Sequence, residues 1–292
     1  METCGRPRVL ITGADGLLGR NALKALKSDF DIYAIVHKSP VDPLQDVNYL
    51  ILDLSEHWSI SNLPNSIDIV IHLAQSSHFR NFPEKALDIF QVNVASTARL
   101  LDFAYRNRVK KFIFASSGGV YGSGRIAFDE NAPIMPPEKL GYYLGSKLYG
   151  EILVNNYAKF MSVVVLRFFF MYGPGQKRSM LIPRLVDSIK AGVPITMEGK
   201  YGIKINPIHV SDATQALVRS LDFTESATIN IGGPEVISLR KICDIIGNLL
   251  GTRPKYICKD STPSDLIGDI TAMREYLCAP RIRIAEGVKD LL

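Results

Sequence analysis

The residues Thr12-Gly13-Ala14-Asp15-Gly16-Leu17-Leu18-Gly19 join a predicted strand, Arg8–Thr12, to a predicted helix. Glycines at such a junction allow a tight turn and let the backbone approach a pyrophosphate closely. The N-terminus of the helix attracts the same anion through its free N–H groups and its dipole. The stretch therefore predicts a dinucleotide-binding loop, with cofactor contacts from Gly13, Asp15, Gly16, Leu17, Leu18 and Gly19.

Apolar runs and helical patterns alternate through the first part of the chain. Such alternation is typical of an α/β fold with a doubly wound parallel sheet of the Rossmann type. The strands predicted after the first are 32–36, 49–52, 67–74, 111–115 and 163–168, and the long helices are 85–107 and 141–160.

After residue 170 the pattern changes and predicts a smaller C-terminal α+β lobe. We predict an NAD(P)-binding Rossmann domain at 1–170 and a mainly substrate-binding lobe at 171–292, with the chain re-entering the Rossmann domain near 203–231. The elements predicted there are helices at 181–191, 212–221 and 239–250 and short strands near 203–208 and at 228–231.

Composition and charge narrow the class of protein. The chain of 292 residues is 47% hydrophobic and 22% charged, which is ordinary for a soluble globular enzyme. Its net charge of +5, from 34 basic and 29 acidic residues without a long basic run, indicates an anionic small molecule and not nucleic acid. The four cysteines show no CxxC spacing, which suits a reducing compartment and supports neither a metal site nor a disulfide framework.

Targeting and membrane signals are weak in this sequence. No apolar run precedes Pro7, so we expect no signal peptide. The most apolar stretch, Val163–Tyr172, is too short to span a bilayer and contains Arg167. We therefore expect a cytoplasmic protein without a membrane partner.

Polar residues follow the predicted strands at the edge where a cofactor lies in such folds. His37 and Lys38 follow the second strand, where an acidic residue would bond the free 2′-hydroxyl of the adenosine ribose. Since no acid stands there and Lys38 can accept a 2′-phosphate, the sequence favours NADP over NAD. The alternative is a solvent-facing Lys38 with NAD bound by other groups. Asp53 can accept from the adenine amino group, and further contacts are expected from Leu54, Leu73, Ala74 and Gln75.

Tyr143 and Lys147 stand four residues apart in a predicted helix and project from one face. A phenol titrates near pH ~10, and an ammonium beside it favours the phenolate, so the pair can act as an acid or base. A pair with this spacing is also common as a surface pair. Ser116 and Ser117, at the end of the fifth strand, either form a turn or supply a hydroxyl to a substrate carbonyl. His72, inside an apolar strand, is expected to be a core histidine.

Together these motifs resemble the extended short-chain dehydrogenase/reductases. More narrowly, they resemble the NAD-dependent epimerase/dehydratase branch, which acts mostly on nucleotide sugars. The resemblance covers almost the whole chain. Its motifs are TGxxGxxG from Thr12, Ser117–Gly122, YxxxK from Tyr143, Ile71–Ala74, Asn93-Val94, Tyr172–Gly175, Ile208–Asp212 and Asn230–Gly233.

The resemblance implies roles for individual residues. Tyr143 would be the acid/base, and Lys147 would hold the nicotinamide ribose and lower the pKa of Tyr143. Ser117 would donate a hydrogen bond to the reacting oxygen. Asn93 would be the structural Asn beneath the site, and Asn93, Ser116 and Tyr143 would lie among the cofactor contacts. The family also implies a homodimer that forms through the two long helices.

Several positions depart from the family pattern. Gly118 and Gly119 replace an Asp-Glu pair that dehydratases use, so dehydration is not expected. Phe170 replaces an Asn, and Ile205 and Thr262 stand where the family has arginines for the diphosphate, which leaves this subsite more apolar. Lys177, Arg178 and Lys204 either rebuild an anion-binding site or are solvated surface residues. The expected substrate contacts are Ser117, Gly118, Phe170, Lys177, Arg178, Lys204 and Thr262.

These observations support three functions. The first is a nucleotide-diphosphate-sugar 4-epimerase or 4-ketoreductase, which we favour because Ser117, Tyr143 and Lys147 are all retained. The second is an NADP-dependent reductase of a less anionic carbonyl substrate. The third is a cofactor-binding regulatory or RNA-binding module that reuses the fold.

Overall fold

The computed structural model describes residues 5–292, so Cys4 lies outside the described residues. From Arg8 to Phe168 helices separate most successive strands, as the apolar runs predict, but no helix lies between the strands that end at Val36 and begin at Val47. The strands are β1 (Arg8–Thr12), β2 (Asp31–Val36), β3 (Val47–Ile51), β4 (Ile69–His72), β5 (Lys111–Ser117), β6 (Ser162–Phe168), β7 (Ile195–Glu198), β8 (Lys204–Ile205), β9 (Ala227–Ile231), β10 (Ile237–Ser238) and β11 (Tyr256–Lys259).

The helices also follow the sequence prediction closely. Within residues 5–292, no helix is long and apolar enough to cross a membrane. The α-helices are α1 (Leu17–Leu26), α2 (Ala86–Phe90), α3 (Ser96–Arg106), α4 (Pro137–Asn155), α5 (Leu181–Lys190), α6 (Val210–Arg219), α7 (Leu239–Leu250) and α8 (Ile284–Gly287).

Two predicted helices differ in detail from the observed ones. The helix predicted at 85–107 is present, but a π-helical turn, Gln91–Ala95, joins α2 to α3. The helix predicted at 141–160 begins earlier, at Pro137, and ends at Asn155. Gly141 interrupts it with a φ of 70°, a left-handed conformation that glycine adopts without steric cost.

Seven strands form one sheet in the order β3-β2-β1-β4-β5-β6-β9. The pairs β1–β2, β1–β4, β2–β3 and β4–β5 are parallel. Because β1 has β2 on one side and β4 on the other, the chain winds outward in both directions from the centre of the sheet. This order confirms the predicted doubly wound α/β fold.

The chain divides into two compact units. The first unit runs to Val120 and also contains Met135–Arg167 and Leu217–Ile229, and the second contains Tyr121–Ile134, Phe168–Ala216 and Asn230–Leu292. Residues 121–134 were predicted to belong to the first domain. In the structure they belong to the second unit, where Phe128 accepts a hydrogen bond from the Asp269 main-chain N (2.7 Å). The predicted division of labour between cofactor and substrate stays a prediction.

Each unit has its own apolar core. The core of the first unit contains Leu10, Phe112 and Phe114, which are 0 to 1% exposed. Helix α5 in the second unit buries one face, because its apolar residues recur at helical spacing. That core includes Ile182, Leu185, Val186, Ile189, Ile242 and Ile246.

His72 is a core histidine, as predicted, and two threonines satisfy its ring. Its Nδ1 lies 2.6 Å from Thr12 Oγ1, and its Nε2 lies 2.9 Å from Thr97 Oγ1. The Thr97 hydroxyl proton goes to the Asn93 carbonyl, so Nε2–H donates to Thr97 and Nδ1 accepts from Thr12. Burial, together with the positive charge of Lys147, lowers the pKa of His72 to about 3.

This low pKa predicts an acid-dependent loss of stability. Between a pKa of about 3 in the folded state and ~6.5 in the unfolded state, only the unfolded chain binds a proton at His72. The free energy of unfolding should therefore decrease as the pH decreases within this range. Relative to His72→Gln, the natural protein should lose about 1 kcal/mol of unfolding free energy between pH ~6 and pH ~5. Urea unfolding at both pH values measures this, and a difference that does not change with pH would contradict it.

Candidate active site

The glycine loop between β1 and α1 is built as the sequence predicts. Gly13 has a φ of 66°, and a Cβ there would lie 2.7 Å from the Ala74 main-chain N. A Cβ on Gly19 would lie 2.2 Å from the Gly13 carbonyl oxygen, so both positions require glycine. Gly16 caps α1 and, having no side chain, leaves the first N–H groups of the helix to an external anion. This cradle fits the pyrophosphate of a dinucleotide.

The residues predicted to meet the adenosine follow β2 and β3. His37 Nε2 lies 3.0 Å from Asp53 Oδ2, and Ser55 donates two hydrogen bonds to Asp53 Oδ1 (2.8 Å and 2.7 Å). Burial opposes ionisation, but the bonds from Ser55 and the adjacent His37 hold the pKa of Asp53 below its usual value. Lys38 is exposed, and the side chain of Leu54 is buried in the core of the first unit. The carboxylate of Asp53 thus lies beside His37, the residue that follows β2, although no acidic residue directly follows β2 in the sequence.

Tyr143 contacts the segment that follows β4 through its hydroxyl. The Tyr143 O–H donates to Gln75 Oε1 (3.0 Å), and the Phe79 ring centroid lies 5.0 Å from the Tyr143 ring. Burial disfavours a charged phenolate and raises the pKa of Tyr143 to about 12, while the charge of Arg80 acts in the opposite direction. Burial therefore outweighs the lowering expected from Lys147, and the pKa of Tyr143 is raised in this structure.

Lys147 is buried and contacts the end of β5. Its Nζ donates to the Ala115 carbonyl oxygen (2.9 Å) and lies 5.5 Å from the centroid of the Phe114 ring. Burial lowers the pKa of Lys147 to about 8, and the Glu151 carboxylate opposes this shift. Tyr143 thus contacts the segment after β4 and Lys147 the end of the adjacent strand β5. Lys147 is buried and Tyr143 is partly exposed, so the two do not form a simple surface pair.

Asn93 connects the segment after β4 to helix α4. It is 2% exposed and lies in the π-helical turn. Its Oδ1 accepts from Ser76 N (2.9 Å), and its Nδ2 donates to Ser146 Oγ (2.9 Å). Because Ser146 precedes Lys147, these bonds fix the part of α4 that carries the candidate catalytic pair. A direct cofactor contact by Asn93 stays a prediction.

The two serines at the end of β5 have different surroundings. Ser116 is buried, and its hydroxyl donates to Glu151 Oε1. Ser117 is partly exposed and accepts a hydrogen bond from Gly119 N (3.1 Å). A Cβ on Gly119 would lie 3.2 Å from Ser117 Oγ and 2.7 Å from Leu144 Cδ2, so Ser117 lies close to the residue that follows Tyr143. Gly118 is buried in the same turn.

Among the candidate substrate residues of the second unit, Arg178 and Phe170 contact other residues of that unit. Arg178 forms an ion pair with Asp187, with 2.9 Å between Nε and Oδ2, and donates to the Leu291 carbonyl (3.2 Å). Its guanidinium therefore already has a carboxylate partner. Phe170 packs against the core of the second unit and has a φ of 45°. Lys177, Lys204 and Thr262 are exposed.

Two charged residues near Lys147 were not predicted to belong to the site. Glu151 and Arg167 form a buried ion pair on α4 and β6. Glu151 continues the four-residue spacing of Tyr143 and Lys147, and Arg167 is a lone cation inside the apolar strand that ends at Phe168. Both signals were present in the sequence, but their partnership depends on how α4 packs against the sheet.

The doubly wound sheet, the glycine cradle and the Tyr143–Lys147 pair at the carboxyl edge define an enzyme of the extended short-chain dehydrogenase/reductase type. The model of the NAD dependent epimerase/dehydratase family matches residues 9–232. The chain belongs to this family.

Known proteins with similar sequences or structures include epimerases and reductases. The uncharacterized UDP-glucose epimerase YtcB of Bacillus subtilis is 26% identical over 296 residues, which cover 92% of each chain. The dTDP-4-dehydro-6-deoxyglucose reductase of Escherichia coli is 28% identical over 310 residues, covering 97% of this chain and 96% of its own. The structure of MoeE5 in complex with UDP-glucuronic acid and NAD is 27% identical, with a TM-score of 0.84 over 97% of each chain. These relatives support the general class without distinguishing the two reactions, and they give no support to a preference for NADP.

Two substitutions of glycine by alanine should have opposite effects on stability. Gly19→Ala should weaken NAD binding by at least about 10-fold and lower stability, because its Cβ would displace the Gly13 carbonyl. Gly145→Ala is the control, since its Cβ would meet nothing within 4 Å, and should stabilise the helix by about 0.5–1 kcal/mol. Calorimetric titration and thermal unfolding measure both effects. Undiminished NAD affinity in Gly19→Ala would contradict the cradle.

Proposed function

We propose that the protein is an NAD-dependent enzyme that transfers a hydride at a ring carbon of a nucleotide-diphosphate sugar, as a 4-epimerase or a 4-ketoreductase. The main support is the contact of Tyr143 with Gln75, after β4, and of Lys147 with the end of β5, close to Ser117. Similarity to a UDP-glucose epimerase and to a dTDP-sugar reductase, over 92% and 97% of this chain, supports the substrate class.

Residues of the first unit would hold the cofactor. The glycine cradle receives the pyrophosphate, and Asp53 receives the adenine end. Leu73, Ala74 and Gln75 border the nicotinamide ribose, and Lys147 bonds it. When bound, the nicotinamide would supply the hydride chemistry: removal and return of a hydride at one carbon in an epimerase, or donation of the hydride of NADH to a carbonyl carbon in a reductase.

Tyr143 would exchange a proton with the substrate oxygen while the hydride moves at the adjoining carbon. With a pKa of about 12, the phenol keeps its proton at neutral pH and is set to protonate a carbonyl oxygen in the reductive direction. In the oxidative direction the phenolate must form, and Lys147, one helical turn further along α4, supplies the positive charge that favours it. The Ser117 hydroxyl donates to the same oxygen and holds it near Tyr143.

The surroundings of His37 favour NAD as the cofactor. Asp53 places a carboxylate 3.0 Å from His37 Nε2, at the residue that follows β2. A carboxylate near the adenosine ribose accepts a hydrogen bond from a free 2′-hydroxyl and repels a 2′-phosphate. We therefore propose NAD, in place of the NADP preference that Lys38 suggested.

A second candidate function is the reduction of a less anionic carbonyl compound. Arg178 is paired with Asp187, and Phe170 and Ile205 replace polar groups that the family uses on its substrate. Ile205 is fully buried. Each of these observations weakens recognition of a diphosphate by the second unit.

We also propose a homodimer formed by helices α2, α3 and α4. These helices expose several large apolar side chains, which a second copy of the same surface would cover. Such residues are uncommon on a monomer surface when they form a contiguous patch. The exposed residues are Leu87 (78%), Tyr105 (52%), Tyr149 (54%) and Ile152 (51%).

The proposed reaction is tested by supplying UDP-, GDP- and dTDP-sugars and following product stereochemistry by NMR and the absorbance of the reduced cofactor. An epimerase should interconvert sugars without net consumption of added NADH, whereas a reductase should consume it. Tyr143→Phe should lower kcat at least about 100-fold and keep NAD affinity, because only the acid/base is lost. Tyr149→Phe, on the same helix but exposed, is the matched control.

Three outcomes would contradict parts of this proposal. Binding of an uncharged ketone but of no nucleotide sugar would favour the second candidate. A biological role that survives Tyr143→Phe unchanged would favour a regulatory or RNA-binding module. Tighter binding of NADP than of NAD would contradict the role given to Asp53.

The dimer is tested by changing one exposed apolar residue to a charged one. Ile152→Glu should shift the molecular mass in light scattering from that of two chains to that of one, because a dimer axis would bring two carboxylates together. Val193→Glu, at an equally exposed apolar residue outside these helices (53%), is the control. A natural protein that is monomeric at high concentration would exclude the dimer.

A further inference from the structure

A buried ion pair lies beside Lys147, and the fold alone does not explain it. Glu151 on α4 is 2% exposed, and Arg167 on β6 is 7% exposed. Arg167 binds the carboxylate through two contacts, Nε to Oε1 at 3.0 Å and Nη2 to Oε2 at 2.6 Å. Ser116 on β5 donates a third hydrogen bond to Oε1. One carboxylate therefore links α4 to two adjacent strands.

Stability is a weak reason for such an arrangement. Removing two charges from water costs several kcal/mol, and an apolar pair of similar volume is often as stable or more stable. Surface pairs avoid this penalty, as Asp102 and Arg106 do on α3, but they contribute little. A buried pair does impose a fixed geometry, since the carboxylate and the guanidinium must meet at defined atoms.

The network joins the elements that carry the candidate catalytic residues. Glu151 lies one helical turn after Lys147 on the same face of α4. Ala115 accepts from Lys147 Nζ (2.9 Å), and Ser116, the next residue on β5, donates to Glu151. These two successive contacts hold α4 against the end of β5. The following residue on β5 is Ser117.

We propose that Glu151, held by Arg167, is a positioning residue that fixes the end of β5 against α4 and provides the counter-charge for Lys147. Its effect on turnover rests on the proposed function, in which Ser117, Tyr143 and Lys147 carry the reaction. Its effect on Lys147 itself does not rest on that function and can be measured in the protein alone.

The charges around Lys147 give the proposal a directional test. Besides Glu151 and Arg167, the titratable groups on neighbouring elements are His72 on β4, Tyr143 on α4 and Asp88 on α2. Burial keeps His72 neutral, with a pKa of about 3, and Tyr143 is a neutral phenol, with a pKa of about 12. Asp88 accepts a hydrogen bond from Ser76. Glu151 is therefore the charged group that raises the pKa of Lys147, and Arg167 is the ion-pair partner of that carboxylate.

Single substitutions in the pair should move the titration of Lys147 in opposite directions. Glu151→Gln leaves two buried cations without a counter-ion, so the pKa of Lys147 should fall by about one unit below its value of about 8. Arg167→Met frees the Glu151 carboxylate to pair with Lys147, so that pKa should rise. If the pair were purely structural, both variants would be less stable, but they would not shift the pKa of Lys147 in opposite directions.

The measurement is an NMR titration of the Lys147 Nζ resonance in protein labelled with ¹⁵N-lysine, assigned by its loss in Lys147→Arg. Asp102→Asn and Arg106→Met, which break an exposed pair on α3, are the matched controls and should leave the titration unchanged. NAD affinity, measured by calorimetry, should fall about 10-fold in Glu151→Gln. Shifts in the same direction, or no shift in either variant, would overturn the proposal.

A double variant keeps the test decisive if a single variant does not fold. Glu151→Met with Arg167→Met removes both charges and should fold, because an apolar pair can replace a buried ion pair. It should still weaken NAD binding, since the contact between α4 and the end of β5 is lost. A folded double variant with natural NAD affinity would overturn the positioning role. Failure of the natural protein to bind NAD would instead contradict the proposed function and leave the Lys147 titration as the test.

Discussion

The buried ammonium group of Lys147 is the constraint on which the candidate site depends. A cation of this kind is stable inside a protein only where oxygen atoms, a ring face or a carboxylate replace its water. Ala115 provides a carbonyl oxygen at 2.9 Å, Phe114 a ring at 5.5 Å, and Glu151 a negative charge one turn away. Two of these partners lie on β5, so the contacts of the Lys147 ammonium group determine how α4 packs against that strand. The direction of Tyr143 follows from the same packing.

Tyr143 shows why the two members of the pair need separate explanations. Its hydroxyl donates to Gln75 and its ring lies beside Phe79, so its proton affinity is set largely by the segment after β4. Burial alone favours the protonated phenol, which is the form that delivers a proton to a carbonyl oxygen. A site that must also remove a proton has to stabilise the phenolate, and a nearby positive charge such as that of Lys147 offsets the effect of burial. The opposing shifts of Tyr143 and Lys147 thus come from one cause, the exclusion of water.

Features that depend on neighbouring residues in the sequence were predictable, and features that depend on distant ones were not. The cradle at Gly13 and helix α7 follow from local patterns, and both were predicted, α7 with its observed bounds. The expected preference for NADP rested on the residues after β2 alone, whereas the carboxylate beside His37 comes from Asp53, after β3. The ion pair of Arg178 likewise depends on a turn of α5 that brings Asp187 to it.

Phe170 has a strained backbone conformation that the hydrogen bonds of neighbouring residues impose. Its φ of 45° is unfavourable for a residue with a Cβ, by about 1–2 kcal/mol, and Asn, which the family often has there, tolerates it better. The conformation persists because bonds on both sides fix the chain, from Phe169 N to the Ile231 carbonyl (2.9 Å) and from Tyr172 N to the Ile208 carbonyl (2.9 Å). These bonds fix the backbone at residue 170 whatever side chain stands there, so the segment holds this conformation although Asn would adopt it at lower cost. The strain at Phe170 is therefore imposed by the hydrogen bonds of its neighbours and not by its own side chain.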